Sequence, residues 1–290
     1  MSGIFDASIV SELEALRRRL TIRARSANTG DRISSRRGSS AEFLEHRSYA
    51  PGDDLRRIDW LAFARTGEPV LKLFRAEEDV VVRIVLDSSA SMQALSEEKF
   101  LFAKRLTAAF AYMALANQER VQFFSMSNRT LRAKEPVRGK ASLPKLLRWL
   151  DDLYAAGAVA LREGLDDVLL QTSRPGMLVV VSDFLDPSGF ETALGRAASA
   201  RHDIALVQVL SSDDLNPTLD GDLELEDVET GEFVTVTVDQ AALDGYQRNL
   251  ASLFGRMRTL AKRLGATYVR THTRETLIEP VRRMVTKGVD

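Results

Sequence analysis

The sequence contains no cysteine. Disulfides, thiolate metal sites, iron–sulfur clusters and cysteine nucleophiles are thereby excluded together. This fits a reducing compartment, although exported proteins also lack cysteine. Histidine is scarce: His46, His202 and His272 are the three, and none has zinc-type spacing to another. The net charge of −1 gives no global pull toward nucleic acid or anionic membrane. No stretch approaches the ~18 consecutive apolar residues of a membrane-spanning helix. Gly-x-Gly-x-x-Gly and Walker A loops are missing, which argues against dinucleotide or ATP binding by those routes. So is the Gly-x-Ser-x-Gly elbow that would arm Ser88, Ser89 or Ser91 as a nucleophile.

What is present is an ordinary globular composition, 44% hydrophobic and 28% charged over 290 residues. Domains of roughly 100–200 residues make one large domain with an extension, or two domains, the natural expectation. The first segment, MSGIFDASIVSELEALRRRL, places acids before its basic cluster and has no long apolar centre. That order is wrong for a secretory signal, so a cytoplasmic location is expected.

Two textures divide the chain. Residues 1–79 are irregular and charge-dense. They are expected to form an N-terminal helix, from Ala7 to about Ala27, and a wrapping segment. Ile9, Leu13, Leu16 and Leu20 give the helix one apolar stripe. Eight arginines lie between Arg17 and Arg37, against Asp31 alone. They read as a solvated face and loop, with contact to an acidic partner or a phosphate surface as the alternative. In Tyr49–Trp60, Pro51-Gly52-Asp53 is a turn signal. Tyr49, Ile58 and Trp60 are expected to anchor this stretch on the sheet domain as a clasp. The competing reading is a partner surface through Asp53, Asp54, Arg56 and Arg57.

Residues 80–290 alternate strand-like and helix-like segments. Strands are expected at 80–86, 121–126, 129–133, 177–181, 204–210 and 266–270. Helices are expected at 97–117, 142–154, 161–172, 188–200, 240–264 and 275–285, the long one capped by Gly265. An inserted β-hairpin is expected near 213–238, turning at Thr230-Gly231. The fold class that follows is α/β, a doubly wound and mainly parallel sheet with helices on both faces.

Two apolar strands end in acids, Asp87 and Asp183. In such sheets ligands bind beyond the carboxyl ends of strands, where the winding reverses. The common strand order makes these two strands neighbours at that point. Asp87, Ser89 and Ser91 alternate, so in extended chain they face one centre. Carboxylates and hydroxyls are hard oxygen ligands suited to Mg²⁺, Mn²⁺ or Ca²⁺. The plain alternative is that these residues cap a helix and a turn.

Asp87-Ser88-Ser89-Ala90-Ser91-Met92 resembles the Asp-x-Ser-x-Ser signature of the metal-ion-dependent adhesion site in von Willebrand factor A domains. Tyr49-Ala50-Pro51-Gly52-Asp53-Asp54-Leu55-Arg56-Arg57-Ile58-Asp59-Trp60, with Ala64-Arg65, resembles the hallmark of the domain of unknown function 58 family. The resemblance implies a Rossmann-like fold with a metal site of Asp87, Ser89, Ser91 and Asp183. It also implies a threonine from a third loop. Gly157-Ala158-Val159-Ala160-Leu161 is the match, and it puts valine there. Family members resemble proteins that work beside MoxR-type AAA+ ATPases in assembling or maturing other proteins. The resulting expectation is a non-catalytic, metal-dependent protein-binding module. A metal-dependent phosphatase or hydrolase and a scaffold with a degenerate site are the alternatives.

Overall fold

The computed structural model describes residues 7–27, 42–51, 53–55, 58–75, 81–94, 97–172, 174–186, 188–228 and 231–286. Gly52, Arg56, Arg57, Thr230 and the arginines beyond Ala27 lie outside them, so the readings placed on those residues go without a structural counterpart. The chain divides into two units. One is Gly30–Asp79; the other joins Met1–Thr29 to Val80–Asp290.

Helix α1, Ala7–Ala27, belongs with the second unit. Leu13 and Leu16 of its apolar stripe are buried in that unit's core. Glu14 accepts hydrogen bonds from Tyr112 and Lys140. The sequence grouped this helix with the irregular segment by texture; its packing puts it elsewhere.

In the unit Gly30–Asp79, strand β1 (Glu42–Ser48) pairs antiparallel with β2 (Val70–Arg75), and α2 (Trp60–Thr66) lies between them in the chain. Asp59 caps α2 by accepting from Leu61 N and Ala62 N. Gly67 ends the helix in the left-handed region, a conformation glycine reaches without cost. Asp53 N donates to Ala50 O and closes the turn expected there. The Asp53 carboxylate holds Arg47 and Ala50 N. Of the three expected anchors, Ile58 is buried and bridges to Leu71, and Tyr49 is half-buried. Trp60 is 61% exposed and meets Phe63 edge-to-face. As the first residue of a short helix it lies on an outward face with Leu61 and Phe63, both exposed.

The larger unit is built on β3 (Val81–Asp87), followed by α3 (Glu97–Ala116), β4 (Arg120–Ser127), β5 (Thr130–Ala133) and β6 (Val137–Arg138). Next come α4 (Leu143–Asp151), α5 (Leu161–Leu170), β7 (Met177–Ser182), α6 (Glu191–Ser199) and β8 (Asp203–Leu210). A one-turn α7 (Ser212–Leu215) precedes the hairpin β9 (Gly221–Glu226) and β10 (Phe233–Val238). Then α8 (Gln240–Leu264), β11 (Thr267–His272) and α9 (Ile278–Val285) complete it. Gly265 caps α8 at φ 62°, as its position suggests.

The sheet order is β11-β8-β7-β3-β4-β5, with β6 also on β4. All pairs from β11 to β4 are parallel, and β5 and β6 are antiparallel at the edge. The chain winds from β3 outward through β4, then returns to the other side of β3 as β7. The β3–β7 boundary is therefore the reversal point.

Both faces are covered. α1, α3, α4 and α9 contribute to one apolar cluster, and α5, α6 and α8 to the other. β3 is buried on both faces, with Ile84 and Leu86 turned to one cluster and Val85 to the other. That is why its sequence is a continuous apolar run and not an alternating one. Fully burying such a side chain stabilises by about 1.5–3 kcal/mol.

Candidate functional site

β3 and β7 pair from Val82↔Met177 to Leu86↔Val181. That register brings the two strand-end acids to one rim. The Asp87 carboxylate is buried. Its Oδ1 accepts from Ser89 N at 2.9 Å and its Oδ2 from Ser182 Oγ at 2.6 Å. Ser89 Oγ and Ser91 Oγ are 2.9 Å apart. The two hydroxyls are thus turned toward each other. A short 3-10 turn over Ala90–Met92 follows them.

Asp183 is buried as well. Its Oδ1 accepts from Leu185 N at 3.1 Å, and its carbonyl accepts from Gln208 Nε2 at 2.7 Å. Gln208 is in turn held by Tyr268 Oη at 2.5 Å. Phe184, next along, sits at φ 56°, an uncommon backbone for a bulky residue. Ser182 Oγ accepts from Phe184 N and fixes that bend.

Two groups that the sequence reading missed complete the cluster. Lys99 of α3 is only 3% exposed. Its ammonium reaches Asp183 Oδ2 at 2.8 Å, Asp214 Oδ2 at 3.0 Å and Ser91 O at 3.3 Å. Asp214 forms a capping box with Ser211 at the start of α7. Its signature, Ser-x-x-Asp after an apolar strand, is legible as a cap but falls at the start of the stretch read as an inserted hairpin. Lys99 has a weaker signal: it belongs to a helix buried nearly all round, and such a helix has little solvent to offer a lysine.

The loop carrying Gly157 is hydrogen-bonded to the Asp87–Ser91 loop. Ala90 N donates to Gly157 O, and Ala156 N donates to Ser88 O, both at 2.9 Å. Gly157 has φ 63°, and a Cβ there would meet Asn128 Oδ1 at 2.8 Å. Val159 is buried in the apolar cluster with Val85 and Leu161. It offers no oxygen. Asp186 Oδ2, from the loop after β7, accepts from Leu161 N at 2.6 Å and ties the two loops together.

The electrostatics follow from burial. Taking Asp87 from water disfavours its charged form, and the neighbouring Asp183 charge adds to that. Together they push the Asp87 carboxyl up to about 7. Burial pulls the Lys99 ammonium down, but Asp183 and Asp214 more than reverse this and leave it raised. Two buried carboxylates, Asp183 and Asp214, share one buried ammonium, and a third, Asp87, stands beside them without it. Fully ionised, the cluster carries two negative charges without a counter-ion. The donor set is two carboxylates and two hydroxyls. Among the described residues, no group of three or more His, Cys, Asp and Glu is gathered as metal ligands. Hard oxygens with an excess of two negative charges fit a divalent cation such as Mg²⁺, Mn²⁺ or Ca²⁺, and not a soft one.

An open α/β sheet with acids and hydroxyls at its reversal point defines the class of protein. A sequence profile described as "Protein of unknown function DUF58" matches residues 45–252. The chain belongs to that family. Uncharacterized protein Rv1480 of Mycobacterium tuberculosis is 31% identical over 230 residues, covering 77% of this chain and 72% of the relative. Uncharacterized protein Mb1516 of Mycobacterium bovis matches to the same extent. Among solved structures, the conserved hypothetical protein BatB from Bacteroides thetaiotaomicron aligns with TM-score 0.46 and 15% identity, over 72% of this chain and 98% of that one. The SpRpn10 VWA domain aligns with TM-score 0.42 and 11% identity, over 70% and 94%. Among the described residues, no helix is long and apolar enough to cross a membrane.

Proposed function

We propose that this chain is a non-catalytic protein-binding module whose docking point is a divalent cation held by Asp87, Ser89, Ser91 and Asp183. The observation that carries the reading is the pair of buried carboxylates from separate strands beside two facing hydroxyls, an acid-rich cluster whose Asp87 is held up to about 7 by burial and by the Asp183 charge. A bound cation there supplies an electrophilic contact for a carboxylate of the partner. Mg²⁺ is the expected ion, with Mn²⁺ and Ca²⁺ as chemically equivalent substitutes. The partner implied by the sequence resemblance is a MoxR-type AAA+ ATPase, acting with this chain in assembly or maturation of other proteins. A cytoplasmic location belongs to the same reading.

The test is calorimetric titration with Mg²⁺ and Mn²⁺, then capture of the purified ATPase with cation or with chelator. Asp87→Asn keeps the side chain's shape and removes its charge. It is expected to abolish both cation heat and cation-dependent capture. Equal capture in chelator and in Mg²⁺ counts against the proposal.

Val159 favours a second reading, a scaffold with a degenerate site. Its side chain is packed into the apolar cluster, where the resemblance calls for a coordinating hydroxyl. That reading expects no cation heat from the wild type and intact partner capture. The hydrolase alternative expects cation-dependent turnover of a phosphate or ester, lost in Ser89→Ala.

A further inference from the structure

Lys99 is placed against the candidate cation site. An ammonium has three protons to donate, and three oxygens meet this one: Asp183 Oδ2, Asp214 Oδ2 and Ser91 O. Asp183 is equally committed, with Oδ1 on Leu185 N and Oδ2 on Lys99. Asp214 has its own support, because its Oδ2 also accepts from Ser211 N and its carbonyl accepts from Tyr246 Oη. A divalent ion seated between Asp87 and Asp183 either shares Oδ2 with the ammonium or takes Oδ1 beside Leu185 N, and in both cases it draws on the carboxylate charge that the ammonium already uses. It also sits one carboxylate's width from a like charge in a poorly solvated place, where repulsion is strong. Lys99, by contrast, has a second carboxylate within reach.

We infer that Lys99 is a built-in competitor of the divalent cation for Asp183: the ammonium holds this carboxylate while the site lacks a cation, and cation entry leaves Lys99 on Asp214. The inference rests on the cation reading proposed above and goes beyond it by naming what sets the affinity. The expected consequence is weak cation binding in the wild type. The ammonium keeps the cluster together without metal, so cation occupancy becomes conditional on cation concentration or on a partner's additional ligand.

The experiment is calorimetric titration with Mn²⁺ alone on the full chain. It compares the wild type, Asp87→Asn, Asp214→Asn and the double variant Lys99→Met/Asp214→Asn. The double variant removes one buried charge of each sign, so the excess charge stays as in the wild type and only the competition is lost. It is expected to bind Mn²⁺ about tenfold tighter or more. Asp214→Asn alone leaves Lys99 with Asp183 as its one carboxylate and is expected to bind several-fold weaker. Circular dichroism confirms that each variant is folded. Should the double variant fail to fold, Lys99→Gln with Asp214→Asn repeats the comparison with a polar side chain in place. An affinity equal to or below that of the wild type in the folded double variant overturns the competition. If the wild type binds and Asp87→Asn does not, that overturning leaves the cation reading intact. Silence from all four proteins sinks the cation reading and this inference together.

Discussion

Strand β3 carries two buried ionisable side chains four residues apart, and the two are handled in opposite ways. Asp87, at the carboxyl end, is enclosed by a network of Ser89, Ser182, Asp183, Lys99 and Asp214. Arg83, four residues earlier, is 5% exposed, and its Nε and Nη1 find no hydrogen-bond partner among the described residues. Gly176 lies against it so closely that a Cβ there would meet Arg83 Nη1 at 2.8 Å and Val81 O at 2.5 Å. Burial pulls the Arg83 guanidinium below its ordinary range, yet a guanidinium stays charged in a protein. A buried charge is tolerable when it is paired and hydrogen-bonded, and costly when it is not. Paired acids and an ammonium that together still lack two positive charges are the arrangement of a site. An orphaned guanidinium is a local cost with no ligand group gathered round it.

The largest effect expected from this contrast is at Lys99. Lys99→Met leaves Asp183 and Asp214 buried and unpaired, and removing one partner of a buried pair typically costs about 3–5 kcal/mol. Urea denaturation at neutral pH measures it. A loss under ~1 kcal/mol would mean that water already screens the cluster, and the contrast between the two side chains would collapse. At Arg83 the sign is reversed. Arg83→Met keeps the length and removes a charge that has no full set of partners. It is expected to leave stability unchanged or raise it by about 1–4 kcal/mol. A destabilisation comparable to that of Lys99→Met would show that the guanidinium is doing a job the geometry does not reveal.

The sequence made half of the Asp87 cluster legible and hid the other half. Asp87 and Asp183 were readable because each ends an apolar β-branched run, and because the winding rule makes those runs neighbours. The register Leu86↔Val181 bears that out. Lys99 was hidden because a lysine in a helical segment reads as solvent-facing. What buries it is the carboxylate of a residue 84 positions away, and no local period reports that. Asp214 was hidden because it falls at the start of the stretch read as an inserted β-hairpin. The parallel strands and their helices were legible within a few residues because apolar runs and caps are local signals. β1 and α2 were not. β1 takes its form from antiparallel pairing with β2, Glu42 opposite Arg75, and that partner lies far along the chain. Trp60 reads as apolar area that wants burial, yet it is exposed, because large apolar residues also occur on surfaces.

The smallest expected effect tests whether the field of Arg83 reaches its neighbourhood. His202 is 8% exposed, and its Nδ1 is without a hydrogen-bond partner among the described residues. Burial first, and the positive charge of Arg83 second, hold its imidazole below the ordinary value of 6.5, against an upward pull from the Gly176 backbone. A histidine that resists protonation when folded makes the unfolded chain the better proton acceptor just below pH 6.5. Its contribution to stability is therefore present above that pH and is lost as pH falls through 6.5 toward the folded value. Arg83→Met removes the like charge and leaves the burial. The His202 pKa is expected to rise part of the way back, and the loss of stability between pH 7.5 and pH 5.5 to shrink. Imidazole proton shifts followed across this range read the first effect, and urea midpoints at its two ends read the second. If Arg83→Met leaves the His202 pKa where it was, the guanidinium is screened from its neighbour. The cost assigned to its missing partners would then be too high, and the gain expected from Arg83→Met would fall toward zero.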